Sequence, residues 1–156
     1  MTLEELQRNA TGLKLRDFVA RFAGYYLGRG DSVAAFTSVE STDILDFSRK
    51  GAPLGGHRSE LIKLPQEGES DLRVTIGRTE SCDVVLVDAS VSGLHARLFI
   101  SEGNCELTDL KSKNGTRLNG VLITPERPTL VKVGDILHFG NIPTVLLDAE
   151  TLFDLV

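Results

Sequence analysis

The chain has 156 residues, of which 41% are hydrophobic and 25% are charged, and its formal net charge is −5. This length and composition are typical of one soluble globular domain with an appendage. Proteins that bind nucleic acid through its phosphates usually carry a basic excess, so the acidic balance argues against nucleic-acid binding. No apolar run approaches the roughly 20 residues of a membrane span, and the acidic N-terminus does not fit a signal peptide. We therefore expect a cytoplasmic protein without membrane insertion.

Residues 1–56 form a predicted N-terminal extension that is partly helical. Thr2 and Glu5 fit a capping box at the start of a first helix. A hydrophobic stripe with helical spacing follows at Leu15, Phe18, Val19, Phe22 and Tyr26. We expect this stripe to dock on the rest of the protein or on a partner, and not to form a cofactor site. The glycine-rich residues 51–56 are a predicted turn or linker.

Residues 57–148 change to a period of two. Short apolar runs alternate with turn signals, among them Asn119-Gly120, which fits a two-residue hairpin turn. Many short strands without interleaved helices indicate an all-β fold, an antiparallel two-sheet β-sandwich. Residues 149–156 then form a predicted short C-terminal helix.

Five fragments at turns and strand ends carry the functional signal. They are Gly77-Arg78, Ser92-Gly93-Leu94-His95, Asn114-Gly115-Thr116, Gly134-Asp135 and Phe139-Gly140. In this order and spacing they resemble the forkhead-associated (FHA) domain, and the resemblance covers about residues 58–148. It implies a small bacterial protein in Ser/Thr kinase signalling that uses its loops to bind a phosphothreonine peptide. The implied partner is a Thr-phosphorylated protein or a Ser/Thr protein kinase, with no cofactor and no catalytic residues.

The resemblance assigns a ligand-facing role to five residues. Arg78 would direct its guanidinium at the phosphate, because a planar, always charged fork can donate two parallel hydrogen bonds to phosphate oxygens. Ser92 would donate its hydroxyl, and Lys113 would add positive charge. Asn114 would hold the peptide main chain, since a carboxamide both donates and accepts. Gly93 departs from the family pattern, which usually has a side chain there, often arginine.

Four further residues would support the site. The resemblance makes His95 a structural group whose ring nitrogens fix the loop that presents Ser92. Gly77 and Gly115 fit backbone positions that need a positive φ or a close approach. Thr116 fits a hydroxyl that bonds within its own turn. Further basic residues, Lys111 and Arg117, extend the predicted cluster around the phosphate.

Two alternative functions remain open from the residues alone. The same sandwich, with the N-terminal stripe, could be a phosphate-independent scaffold for a folded partner, and the missing side chain at Gly93 keeps that alternative open. A hydrolase that uses Ser92 and His95 lacks the Gly-x-Ser-x-Gly elbow and an evident acidic partner.

Three scattered histidines predict no metal site. Cys82 and Cys105 lack disulfide or metal spacing, and we expect both to be reduced.

Overall fold

A computed structural model describes residues 1–30, 60–65 and 71–154. The predicted linker at 51–56 and His57 lie outside these ranges. Within them are three helices, α1 (Leu3–Ala10), α2 (Leu15–Arg21) and α3 (Ala149–Asp154). The strands are β1 (Tyr25–Arg29), β2 (Glu60–Lys63), β3 (Leu72–Gly77), β4 (Val84–Val85), β5 (Ala96–Ser101), β6 (Asn104–Asp109), β7 (Thr116–Leu118), β8 (Val121–Leu122), β9 (Thr129–Val131), β10 (Ile136–Phe139) and β11 (Ile142–Asp148).

The strands of the described residues form two sheets. One has six strands in the order β2-β1-β11-β10-β7-β8, and the other has five in the order β4-β3-β5-β6-β9. Neighbouring strands are antiparallel except for β3 and β4, which run parallel over two residues. The predicted all-β, two-sheet sandwich is confirmed.

Alternating side chains fill the space between the sheets. On β3 Arg73 is exposed and Thr75 is half-buried, whereas the side chains of Val74 and Ile76 are fully buried. They join one core cluster with Leu137 and Phe139 of β10 from the other sheet. Full burial of one such side chain contributes about 1.5–3 kcal/mol, so this layer holds the two sheets together.

A second core lies between the six-stranded sheet and the helices. Phe18 and Phe22 belong to a buried cluster that includes Tyr26, Val145 and Leu147. The prediction that the N-terminal stripe docks on the rest of the protein is therefore confirmed for Phe18, Phe22 and Tyr26, whereas Leu15 is exposed. The predicted capping box is also present, since the Thr2 hydroxyl accepts from the N–H of Glu5 and the Glu5 carboxylate accepts from the N–H of Thr2.

The helical geometry predicted through Tyr26 is wrong. Helix α2 ends at Arg21, and Gly24, with a φ of 121°, turns the chain into β1. Tyr26 then pairs with Leu147 of β11 and donates its hydroxyl to the Phe22 carbonyl at 2.9 Å. The extension thus supplies a strand to the six-stranded sheet, while the division of the chain into 1–56, 57–148 and 149–156 stays a prediction.

Helix α3 follows β11 without a break. The Asp148 carboxylate accepts from the N–H of Thr151, which caps the start of the helix. The predicted C-terminal helix is therefore present, and Leu152 buries its side chain against the second core. In the described part of the chain, no helix combines the length and apolarity that crossing a membrane requires.

Candidate functional site

The fragments singled out in the sequence meet at one end of the sandwich. Strand β3 ends at Gly77, and the next backbone N–H, that of Arg78, donates to the Ser92 carbonyl at 2.9 Å. A Cβ on Gly77 would lie 2.2 Å from the Gly93 carbonyl oxygen. Close approach of the two loops therefore requires glycine at position 77. A positive φ is not the reason, because Gly77 does not have one.

The carbonyl of Gly93 is held by three donors from the loop after β3. They are the backbone N–H of Thr79 at 3.3 Å, the Thr79 hydroxyl at 3.0 Å and the Cys82 thiol at 3.2 Å. No local pattern in the sequence indicates these roles of Thr79 and Cys82, because the hydrogen bonds span 11 to 14 residues of chain. Their effect is to fix the loop that carries Ser92.

Ser92 also contacts the loop between β6 and β7. Its hydroxyl oxygen accepts from the backbone N–H of Lys113 at 2.9 Å. Its hydroxyl hydrogen has no acceptor among residues 1–30, 60–65 and 71–154 and remains available to a ligand. Arg78 and Lys113, whose backbone N–H groups bond Ser92, both have exposed side chains.

Asn114 is anchored by one half of its carboxamide. Its Nδ2 donates to the Ser90 carbonyl at 2.9 Å, and its Oδ1 has no donor in the described part of the chain. The next residue, Gly115, has a φ of 81°, a left-handed conformation that favours glycine. The side chain of Asn114 is exposed and offers Oδ1 as an acceptor.

His95 is fully buried and joins two of the loops. Its Nδ1 accepts from the N–H of Ser92 at 3.0 Å, and its Nε2 donates to the Gly115 carbonyl at 3.0 Å. Because one nitrogen accepts and the other donates, these contacts select the neutral imidazole with its proton on Nε2. Burial lowers the pKa of His95, although the Gly115 carbonyl and the Asp109 carboxylate partly oppose the shift. Neither nitrogen bonds the Ser92 hydroxyl.

A buried carboxylate that the sequence analysis missed organises the loop after β6. Asp109 accepts from the N–H of Ser112 at 3.1 Å, from the Ser112 hydroxyl at 2.5 Å and from the Thr116 hydroxyl at 2.6 Å. Thr116, predicted to bond within its own turn, instead closes the loop through Asp109. The spacing Asp109-x-x-Ser112 was the available signal, since Asp side chains commonly bond the backbone just ahead of them.

The four basic residues of the predicted cluster lie in different environments. Arg78 and Lys113 each bond Ser92 through their backbone N–H groups. The Lys111 ammonium instead lies 3.6 Å from the Glu126 carboxylate, and both side chains are mostly exposed. Arg117 lies opposite His138 on β10, and its charge adds to burial in lowering the pKa of that histidine. No group of three or more His, Cys, Asp and Glu side chains placed to hold a metal ion occurs in the described ranges.

Comparison with known proteins agrees with this arrangement. A family model described as FHA domain matches residues 74–140. An oxoglutarate dehydrogenase inhibitor of Corynebacterium glutamicum is 36% identical over 123 residues, covering 76% of this chain and 84% of the relative. The chain belongs to the FHA-domain family. The FHA domain of the CT664 protein from Chlamydia trachomatis superimposes with a TM-score of 0.50 at 26% identity, covering 57% of this chain and 85% of that one.

Some relatives are much longer than this chain. An FHA domain-containing protein of Arabidopsis thaliana is 30% identical over 97 residues, and the match covers 58% of this chain but 25% of the relative. The match therefore concerns the FHA domain and not the remainder of that protein.

Proposed function

We propose that this end of the sandwich binds a phosphothreonine in a peptide segment of a partner protein. The observation that carries the proposal is that two other loops and a histidine of its own loop all bond Ser92. Its carbonyl accepts from Arg78, its hydroxyl oxygen accepts from Lys113, and its N–H donates to His95. All three contacts are made before a ligand arrives, so the site is largely preformed.

The exposed groups suit a phosphate. The Ser92 hydroxyl hydrogen donates to one phosphate oxygen, the Arg78 guanidinium donates to others, and Lys113 adds charge. Hydrogen bonds to a charged group contribute about 1.5–3 kcal/mol each, and ordering a flexible peptide offsets part of that gain. An affinity near micromolar, about −8 kcal/mol, follows.

Asn114 suits the peptide main chain. Because its Nδ2 is already bound to Ser90, its free Oδ1 accepts a backbone N–H of the peptide. Gly93 adds no side chain, and its backbone carbonyl is already held by Thr79 and Cys82. The contribution of Gly93 to binding is therefore confined to its backbone.

Binding, and not catalysis, is the proposed activity. Both ring nitrogens of His95 bond backbone groups, so this histidine cannot act as a base for the Ser92 hydroxyl. The partner is a Thr-phosphorylated protein or a Ser/Thr protein kinase, in the cytoplasm, where protein kinases draw on ATP. The name of the Corynebacterium relative, an inhibitor of a dehydrogenase, supports control of a partner protein by binding.

A titration of matched peptides tests the proposal. A phosphothreonine peptide, selected from an oriented array, is compared in calorimetry with its phosphoserine and unmodified forms. We expect about tenfold weaker binding of the phosphoserine form, since burying one methyl group contributes about 0.8 kcal/mol and a β-branched side chain loses less rotamer freedom. The unmodified form should not bind measurably.

The other outcomes separate the alternatives. Equal affinity for the two phosphorylated peptides would leave phosphate binding without selectivity for threonine. Absence of binding to every peptide would favour the phosphate-independent scaffold. The exposed Leu94, next to the side-chain-free Gly93, is the feature that favours this second candidate, because it offers an apolar contact to a folded partner.

A further inference from the structure

We propose that one turn, residues 88–90, is a positioning element that holds the side chains of both Arg78 and Asn114 in the orientation that receives the phosphopeptide. The inference rests on the proposed function, because it concerns how that site is kept ready. It assigns a role to Asp88 and Ser90, which do not themselves touch the ligand.

Two consecutive carbonyls of this turn contact the two side chains. The Ala89 carbonyl accepts from the Nη1 atom of Arg78 at 3.5 Å, a long contact, and the Ser90 carbonyl accepts from Nδ2 of Asn114 at 2.9 Å. Arg78 follows β3 and Asn114 precedes β7. One short turn therefore holds a ligand-facing group from each of two separate loops.

The turn is itself fixed by its own side chains. The Oδ1 atom of Asp88 accepts from the N–H of Ser90 at 2.9 Å and from the Ser90 hydroxyl at 2.6 Å. The Ser90 hydroxyl oxygen in turn accepts from the N–H of Asn141 at 2.9 Å. The hydroxyl and N–H of Ser90 hold the pKa of the Asp88 carboxyl below its usual range. These bonds determine where the Ser90 carbonyl points.

The hairpin between β10 and β11 closes against the same turn. A Cβ on Gly140 would lie 2.3 Å from the Ser90 carbonyl oxygen, and Gly140 has a φ of 58°. Its N–H donates to the Gly115 carbonyl at 3.1 Å. The Phe139-Gly140 fragment therefore allows the hairpin to pack against both the 88–90 turn and the loop that carries Asn114.

This arrangement has a direct consequence for binding. A free carboxamide rotates and presents either its oxygen or its nitrogen to a ligand. Bonding one N–H of Asn114 Nδ2 to the Ser90 carbonyl fixes the rotation of the carboxamide before binding and leaves Oδ1 and the second N–H for the ligand. A side chain ordered in advance loses less entropy when the peptide arrives, so loss of the turn should weaken binding.

The decisive experiment is a double-mutant cycle with a phosphothreonine peptide. We expect Ser90→Ala to raise the Kd about fivefold in the full chain, and to raise it only about twofold in the Asn114→Ala background, where the long contact between the turn and Arg78 is all that is left to lose. Asp88→Ala should behave like Ser90→Ala, whereas Asp88→Asn, which keeps an acceptor at Oδ1, should bind like wild type. A merely structural effect on stability would weaken both backgrounds equally.

Ser101→Ala is the matched control, because the Ser101 hydroxyl donates to Asp71 at 2.5 Å at the opposite end of β5 from His95. It should bind like wild type. If Ser90→Ala does not fold, Asp88→Ala carries the same cycle. Wild-type affinity of the turn variants, or an equal loss in both backgrounds, would overturn the positioning role alone. A wild-type protein that binds no phosphopeptide would overturn the proposed function together with it.

Discussion

The Nδ1 atom of His95 accepts a hydrogen bond from the backbone N–H of Ser92 at 3.0 Å, inside a fully buried environment. The two residues are three positions apart, a spacing that also fits a nucleophile and its base. The structure gives them a different geometry, because the histidine bonds the serine backbone, while the serine hydroxyl oxygen accepts from the Lys113 N–H. In the proposed function, His95 therefore supports the loop and Ser92 contacts the ligand.

That separation predicts different effects of His95→Ala and Ser92→Ala. Removing the buried ring leaves the Ser92 N–H without its partner, takes one of two donors from the Gly115 carbonyl and opens a cavity beside Phe139, so we expect a loss of roughly 2–5 kcal/mol of unfolding free energy. Ser92→Ala frees only the exposed Lys113 N–H and should change stability little while weakening peptide binding. Thermal melts and calorimetry measure the two effects, and equal melting temperatures for wild type and His95→Ala would contradict the structural role.

His95 also predicts a pH dependence of stability without ligand. Its pKa in the folded state is lowered, chiefly by burial, so the unfolded state binds a proton more readily. Its contribution is fully present above about pH 6.5, the ordinary histidine value, and is lost as the pH falls through the lowered pKa. Protonation of Nδ1 would place a donor against the Ser92 N–H.

Chemical denaturation at several values from about pH 8 to about pH 5 measures how the unfolding free energy changes with pH. This range brackets the ordinary histidine pKa. The pKa of His138 is also lowered, by burial and by Arg117, so the slope should be smaller but still present in His138→Gln. The lowered carboxyl pKa values of Glu5 and Asp88 act in a more acidic window. A flat profile in His138→Gln would count against the proton assignment of His95.

Arg78→Ala should weaken phosphothreonine-peptide binding by at least about tenfold, or about 1.4 kcal/mol. The guanidinium is exposed and, among the residues that the structure describes, contacts only the Ala89 carbonyl, at 3.5 Å, so the melting temperature should hardly change. Lys111→Ala is the matched control, since it removes an exposed positive charge that lies against Glu126. Calorimetry in which Arg78→Ala binds like wild type would show that the phosphate lies elsewhere.

Gly93→Arg should strengthen binding. An added Cβ at Gly93 would lie 3.3 Å from the Thr79 Cγ2 atom, so the Thr79 side chain must shift by a few tenths of an ångström, and the backbone there does not have a positive φ. The new guanidinium adds a charge-assisted donor beside Ser92, for which we expect about fivefold tighter binding. Gly93→Ala, which adds the Cβ without the charge, should bind like wild type. Weaker binding by Gly93→Arg would mean that the ligand occupies this space itself.

Much of the architecture was predictable because its signals are local. A period of two in the strands, turn residues between them and capping at the first helix depend on near neighbours in the chain. The fragments around Arg78, Ser92 and Asn114 predicted the family for the same reason. The helix predicted through Tyr26 is wrong because Phe22 and Tyr26 reach the same buried cluster from different elements. Phe22 lies at the end of a helix, and Tyr26 lies on a strand.

The sequence by itself thus determined the sandwich, the family and the residues expected to face a phosphate. Only the tertiary structure decided how those residues are held. Gly77 packs against the Gly93 carbonyl, Asp109 accepts from the Thr116 hydroxyl, and the Ser90 carbonyl accepts from Asn114. These contacts join residues that are far apart in the chain, or that meet only when two loops pack. Hydrogen-bond direction and close approach depend on the folded geometry, and the spacing of residue types does not contain them.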